Sequence, residues 1–130
     1  MFSHVVLGTN NFDQALAFYR PLMTLLGRTE RFCDPQVPWA AWETAPGTRP
    51  LLVLGRPWDQ CPANAGNGQV VALLSPSRQI VDQSYVLALQ NGGTDEGAPG
   101  LRPHYHANYY GAYFRDLDGN KLCVVCHDPA

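Results

Sequence analysis

The stretch from Pro103 to His127 reads PHYHANYYGAYFRDLDGNKLCVVCH and carries most of the side chains that can take part in chemistry. Tyr109 to Arg115 is rich in aromatic residues, and Lys121 to Cys126 is apolar and partly β-branched, as is typical of half-buried strands. The intervening DLDGN predicts a tight turn, because Asp and Asn bond their own backbone and Gly accepts a positive φ. We therefore expect a closing hairpin that carries the functional site.

Composition limits the class of protein. The 130 residues are 45% hydrophobic and 15% charged, which predicts one globular domain over residues 1–130. The net charge of -2, with Lys and Arg scattered, gives no basic face for nucleic acid. No apolar run has membrane-spanning length and the first residues lack a basic leader, so we expect a cytoplasmic protein without membrane contact. The four cysteines, at 33, 61, 123 and 126, outline no disulfide framework.

The first half of the chain predicts a strand, a helix and three strands. Asn10 or Asn11 can cap a helix that begins near Phe12 and ends at Gly27. Pro21 lies inside this helix and is expected to kink it or to begin a second short turn. The predicted strands are Phe2–Leu7, Arg28–Cys33, Trp39–Glu43 and Pro50–Leu54.

The same order returns after a Pro- and Gly-bearing connector. Ser75 can cap a second helix with Pro76 in its first position, and Gly92-Gly93 ends it. We expect Asp95 and Glu96 to lie in a solvated loop. The predicted strands of this half are Gln69–Leu74, a short Leu101–Pro103 and the two strands of the closing hairpin.

The two halves align at one spacing. His4 aligns with Val70, Asn11 with Ser77 and Gly27 with Gly92, at offsets of 66, 66 and 65 residues. A single long period with two copies indicates a duplicated half-domain and not a solenoid. We therefore predict an α+β fold of two βαβββ modules, about residues 1–56 and 68–130, joined by a connector at 57–67.

This pattern resembles the vicinal oxygen chelate superfamily. The resemblance rests on the module order, on the opening FSHVVL at 2–7, on the Asn10-Asn11-Phe12 helix start and on RDLDGNKL at 115–122. The superfamily includes glyoxalase, the bleomycin and fosfomycin resistance proteins and ring-cleaving dioxygenases. The resemblance implies a curved mixed sheet around a cavity, a small-molecule ligand and a homodimer.

Metal-binding members of the superfamily use four side chains that converge from four strands. The resemblance places them at His4, Val53, Val70 and Cys123. Valine cannot bind a metal, whereas an oxygen-activating metal usually needs three or more nitrogen or oxygen ligands. We therefore expect no standard metal site and assign no cofactor. An alternative divalent-metal set, His4 and Cys123 with His104 or His106, stays open.

The remaining candidates come from the closing stretch. If their segment is extended, His104 and His106 share one side of it, and either can serve as a base or simply bond backbone groups. We expect His4 and His106 as catalytic residues. The expected ligand-binding residues are His104, Asn108, Tyr109, Tyr113, Cys123 and Trp42, for which plain packing is the alternative.

Two other patterns carry no site. In CVVC at 123–126, positions three apart point to opposite faces of a strand, which argues against a redox pair, and a structural zinc site would need a second pair of ligands. The DLDGN turn lacks the later acidic ligands of a calcium loop.

Two classes of function stay open. The resemblance favours a glyoxalase-like lyase, in which imidazole and tyrosine groups act without the standard metal. The alternative is a non-catalytic protein that binds a drug or an aromatic molecule, as bleomycin resistance proteins do. The sequence leaves open whether the protein is an enzyme.

Overall fold

One order of elements, a strand, a helix and three strands, occurs twice in the structure, a computed structural model that describes all 130 residues. The first copy contains β1 (His4–Gly8), α1 (Phe12–Leu25), β2 (Thr29–Asp34), β3 (Trp39–Glu43) and β4 (Leu51–Gly55). The second contains β5 (Val71–Leu74), α2 (Arg78–Gln90), β6 (Thr94–Leu101), β7 (Tyr110–Arg115) and β8 (Lys121–Cys126). The predicted α+β class is confirmed. Neither helix has the length and apolar character needed to span a membrane.

The eight strands form two separate four-stranded sheets. The strand orders are β1-β4-β3-β2 and β5-β8-β7-β6. In each sheet the first pair is parallel and the other two pairs are antiparallel. The two sheets therefore share one topology, as expected of a duplicated module.

Helix α1 begins where the sequence predicts. Asn11 caps it by accepting a hydrogen bond from the Gln14 N–H at 3.1 Å. The helix continues through Pro21 to Leu25, so no second turn begins at the proline. Gly27 follows with φ 73°, a conformation that glycine adopts without a Cβ clash.

Helix α2 corrects one detail of the prediction. Ser77, and not Ser75, caps it by accepting a hydrogen bond from the Ile80 N–H at 3.2 Å. The Ser75 hydroxyl instead donates to the Ser77 carbonyl oxygen at 2.8 Å. Pro76 therefore lies before the cap and not in the first helical position.

Strand β6 is the largest departure from the predicted elements. It covers Thr94–Leu101, where a solvated loop and a short strand at Leu101–Pro103 were expected. Asp95 accepts a hydrogen bond from the Tyr85 hydroxyl, and Glu96 forms an ion pair with Arg115. The register between β6 and β7 shifts on both sides of Gly97. The strand was not predicted because glycines and a proline interrupt the alternation of side chains along this segment.

Both helices and one face of each sheet bury a common core. Phe18 of α1 packs edge-on against Phe114 of β7, with ring centroids 6.3 Å apart. Trp42 lies in the same core against Tyr19, at 6.2 Å. We call the helix-covered side of each sheet its core face and the other side its open face. The open face of the first sheet carries the separate apolar group Ala41, Leu51 and Val53.

Candidate functional site

The alternation of side chains along β7 and β8 places Tyr113 and Cys123 opposite each other on the open face of the second sheet. Tyr109, just before β7, lies over them. Its hydroxyl is 2.8 Å from the Tyr113 hydroxyl and 3.6 Å from the Cys123 sulfur. We call these three residues the tyrosine cluster. The hairpin turn and the antiparallel register are what bring them together.

The tyrosine cluster holds its protons at neutral pH. Burial, followed by the hydrogen bond to Tyr113, raises the pKa of Tyr109 well above its ordinary value. Burial likewise raises the pKa of Tyr113 and that of the Cys123 thiol, although hydrogen bonds from the two tyrosines lower the latter in part. Neutral hydroxyls donate and accept hydrogen bonds, but they are neither strong bases nor nucleophiles.

Cys123 forms the floor of this cluster. It is 0% exposed, whereas Tyr109 and Tyr113 are half-buried. A molecule on the open face would thus touch the two tyrosines first and reach the thiol only through them. The predicted direct contact of a ligand with Cys123 therefore requires the tyrosines to move.

An imidazole pair borders the cluster. His106 Nε2 lies 2.8 Å from His127 Nδ1, and both rings pack against Tyr109, with centroids 5.7 and 5.4 Å away. The Asn108 N–H donates to His106 Nδ1 at 3.1 Å, so this nitrogen accepts and the Nε2 proton points to His127. The pair fixes the loop before β7 to the residue that follows β8.

Three other predicted site residues, His4, Trp42 and His104, form no hydrogen bond with the tyrosine cluster. His4 is exposed at the start of β1, with Nδ1 2.9 Å from the Ser3 hydroxyl, and no hydrogen bond links it to the tyrosine cluster or to His106. Trp42 is buried on the core face of the first sheet, away from the open face of the second. Exposed His104 packs on Tyr105, at 4.3 Å between ring centroids.

The residues at the superfamily's metal positions do not fit a metal. Val53 is packed in the apolar group of the first sheet, and Val70 lies directly before β5. Cys123 is buried, and its sulfur lies 3.6 Å from the Tyr109 hydroxyl, with no group of His, Cys, Asp or Glu side chains around it to complete a ligand set. No three His, Cys, Asp or Glu side chains converge anywhere in the chain, so the alternative set with His104 or His106 is not brought together either.

Three residues that lie beside the cluster were not among the predicted site residues. Arg102 and Lys121 both lie over the Tyr113 ring, and His127 reaches His106. Lys121 is two positions before Cys123 on β8, so the alternation of side chains along a strand could have predicted that both lie on the open face. The sequence does not predict that Arg102 and His127 lie beside the cluster, because their positions depend on the path of the loops that carry them.

The fold and the open-face site define a two-module, glyoxalase-like α+β protein, and comparison with solved structures agrees. A glyoxalase/bleomycin resistance protein from Albidiferax ferrireducens T118 is 30% identical, with 98% of this chain and 99% of that chain covered and a TM-score of 0.84. The chain therefore belongs to the glyoxalase/bleomycin resistance protein family, within the vicinal oxygen chelate superfamily.

More distant structures share the fold. A lactoylglutathione lyase from Agrobacterium tumefaciens is 20% identical over 97% of this chain and 92% of its own, with a TM-score of 0.65. A glyoxalase-related enzyme from Fulvimarina pelagi is 16% identical over 97% and 87%, with a TM-score of 0.71. No family model and no curated protein matches the sequence.

Proposed function

We propose that this protein binds a small, planar molecule on the open face of its second sheet without transforming it. The observation that carries the proposal is the protonated tyrosine cluster. Tyr109 and Tyr113 offer two neutral hydroxyls and two ring faces, and the raised pKa of Cys123 gives no thiolate. Such a surface recognises hydrogen-bonding and aromatic groups but lacks a ready base or nucleophile.

Aromatic layering supports a planar ligand. The Tyr105 ring, 60% exposed, packs on the Tyr109 ring at 4.7 Å between centroids. Aromatic side chains stack on flat molecules at a modest entropic cost, because they have only two rotatable bonds. The ligand-binding roles expected for Tyr109 and Tyr113 belong to this proposal, as does a ligand contact for half-buried Asn108.

The proposal is tested with 2-naphthamide, a neutral planar probe with a carbonyl acceptor. We expect one saturable site by calorimetry, weakened about tenfold when Tyr109→Phe and Tyr113→Phe are combined, because two hydrogen bonds are lost. Tyr110→Phe is the matched control, since its hydroxyl donates to Asp82 on the core side. Absence of saturable binding, or equal weakening by the control, would overturn the proposal.

A second test addresses the thiol. Cys61 is exposed and Cys123 is buried with a raised pKa. Iodoacetamide at pH 8 should therefore modify Cys61 quickly and leave Cys123 intact in the folded protein, as read by peptide mass spectrometry. Equal labelling of both thiols would show an accessible nucleophile and would argue against a purely binding site.

The second candidate is a glyoxalase-like lyase, and one observation favours it. The His106 imidazole lies directly against Tyr109, so a titratable group borders the hydroxyls. This candidate predicts turnover of the hemithioacetal formed from methylglyoxal and glutathione, lost in His106→Ala. Binding of that compound without consumption would favour the binding function.

A further inference from the structure

Arg102 is held on the open face beside Tyr113. Its guanidinium carbon lies 5.7 Å from the centre of the Tyr113 ring, and Nη2 donates to the Ala98 carbonyl oxygen at 2.8 Å. A Cβ added at Gly97 or Gly100 would come within 3.3 or 3.2 Å of the guanidinium nitrogens. The two glycines thus leave the space that this side chain occupies.

Lys121 lies over the same ring. It is the only lysine of the chain, and its Nζ is 5.7 Å from the Tyr113 ring centre. Lys121 also borders a cleft of about 270 Å³ between edge strands β1 and β5, together with Val6, Gln69 and Asn120. No other aromatic ring in the structure has two cations over it.

Neither of these two cations forms an ion pair. The three ion pairs of the structure are Arg20–Glu30, Arg31–Glu43 and Arg115–Glu96. Glu96 is engaged by Arg115 at 2.7 Å, and Asp95 accepts from Tyr85 of α2. The hydrogen bond from Arg115 lowers the pKa of Glu96, and Lys121 is close enough to help lower it. No carboxylate forms an ion pair with Arg102 or Lys121, so the open face of the second sheet carries an excess of positive charge on a chain whose net charge is -2. Both cations act to lower the pKa of Cys123, which places their field at the tyrosine cluster.

We propose that the ligand of this face carries an anionic group, a carboxylate or a phosphate, which binds between Arg102 and Lys121 while its planar part lies against Tyr109 and Tyr113. This inference rests on the proposed function and adds the charge of the ligand to it. Cations donate strong, charge-assisted hydrogen bonds to such oxygens, and the protonated tyrosines add neutral donors.

The test compares 2-naphthoate with 2-naphthamide, which have the same ring system and differ in charge. We expect the anion to bind about tenfold more tightly at low salt and to lose this advantage as NaCl rises. Arg102→Gln and Lys121→Gln should each remove most of the preference. Lys121→Gln should leave the thermal midpoint nearly unchanged, because Lys121 forms no ion pair. Arg49→Gln, an exposed cation with no assigned contact, is the control.

The outcomes separate this inference from the proposed function. If both probes bind equally and the double phenylalanine variant weakens both, the binding function stands and the anion site is wrong. If Arg102→Gln weakens naphthoate binding but the double phenylalanine variant does not, the anion site is supported and the role proposed for the tyrosine hydroxyls is wrong. Loss of the charge preference in Arg49→Gln, or no binding of naphthoate or of inorganic phosphate, would overturn the inference.

Discussion

The open faces of the two sheets differ, although the sheets share one topology. The first is apolar, with Ala41, Leu51 and Val53 packed together, and its Glu43 is neutralised by Arg31 at 3.4 Å. The second presents the tyrosine cluster and the unpaired cations Arg102 and Lys121. The duplicated modules thus kept the core faces that make the fold, while the polar chemistry lies on the open face of one module.

The largest expected effect is on stability, and it concerns the buried contact between the two modules at Asp116. Asp116, 4% exposed, accepts hydrogen bonds from the Tyr19 hydroxyl of the first module, from the Asn120 side chain and from two backbone N–H groups of its own turn. Asp116→Ala would leave these donors unpaired. We expect the free energy of unfolding to fall by about 3 kcal/mol, measured by urea denaturation.

Asp118→Ala is the control for this change. Asp118 accepts only the exposed Asn10 N–H, at 2.8 Å, so its loss should cost less than about 1 kcal/mol. Equal losses in the two variants would show that the buried Tyr19–Asp116 contact does not join the modules as described.

A smaller effect sharpens the contrast between the open faces. Leu51 is 7% exposed within the apolar group of the first sheet. Leu51→Ala should lower the free energy of unfolding by roughly 2 kcal/mol, at the low end for buried leucines because this group is small. The affinity for 2-naphthamide should stay unchanged. Weaker binding at unchanged stability would place the ligand on the first sheet.

The smallest effect on stability concerns the imidazole pair. His106→Ala removes the exposed contact to His127 and the acceptor for the Asn108 N–H, which together stabilise by about 1 kcal/mol or less. Probe affinity should fall severalfold, because Tyr109 loses the ring that supports it. His127→Ala should reproduce this result and His104→Ala should not. A large drop in melting temperature with unchanged affinity would assign His106 to structure.

The core faces were predictable and the site was predictable only in part. Periodicity located α1, β3 and β8, because these elements bury one consistent face. It missed most of β6, where Gly97 and Gly100 replace the expected side chains. The reason for the two glycines is visible only in the structure, where the Arg102 guanidinium lies beside them. The sequence does not predict that Arg102 returns to this position.

The expected convergence of His4 and Cys123 shows what a local sequence pattern cannot predict. The closing hairpin was predicted, and its tight turn sets the register that places Tyr113 opposite Cys123. His4 belongs to the other sheet, and its place depends on how the two modules pack. That packing is decided by core contacts such as Phe18 with Phe114, which no local pattern reveals.

The most direct test of the central claim is an amide NMR titration of the whole chain with 2-naphthoate. The account predicts saturable shifts at Gly111, Tyr113, Lys121 and Cys123, with none at Leu51 or Val53. Shifts confined to the first sheet, or none at millimolar probe, would contradict the claim that the second sheet alone carries the binding surface.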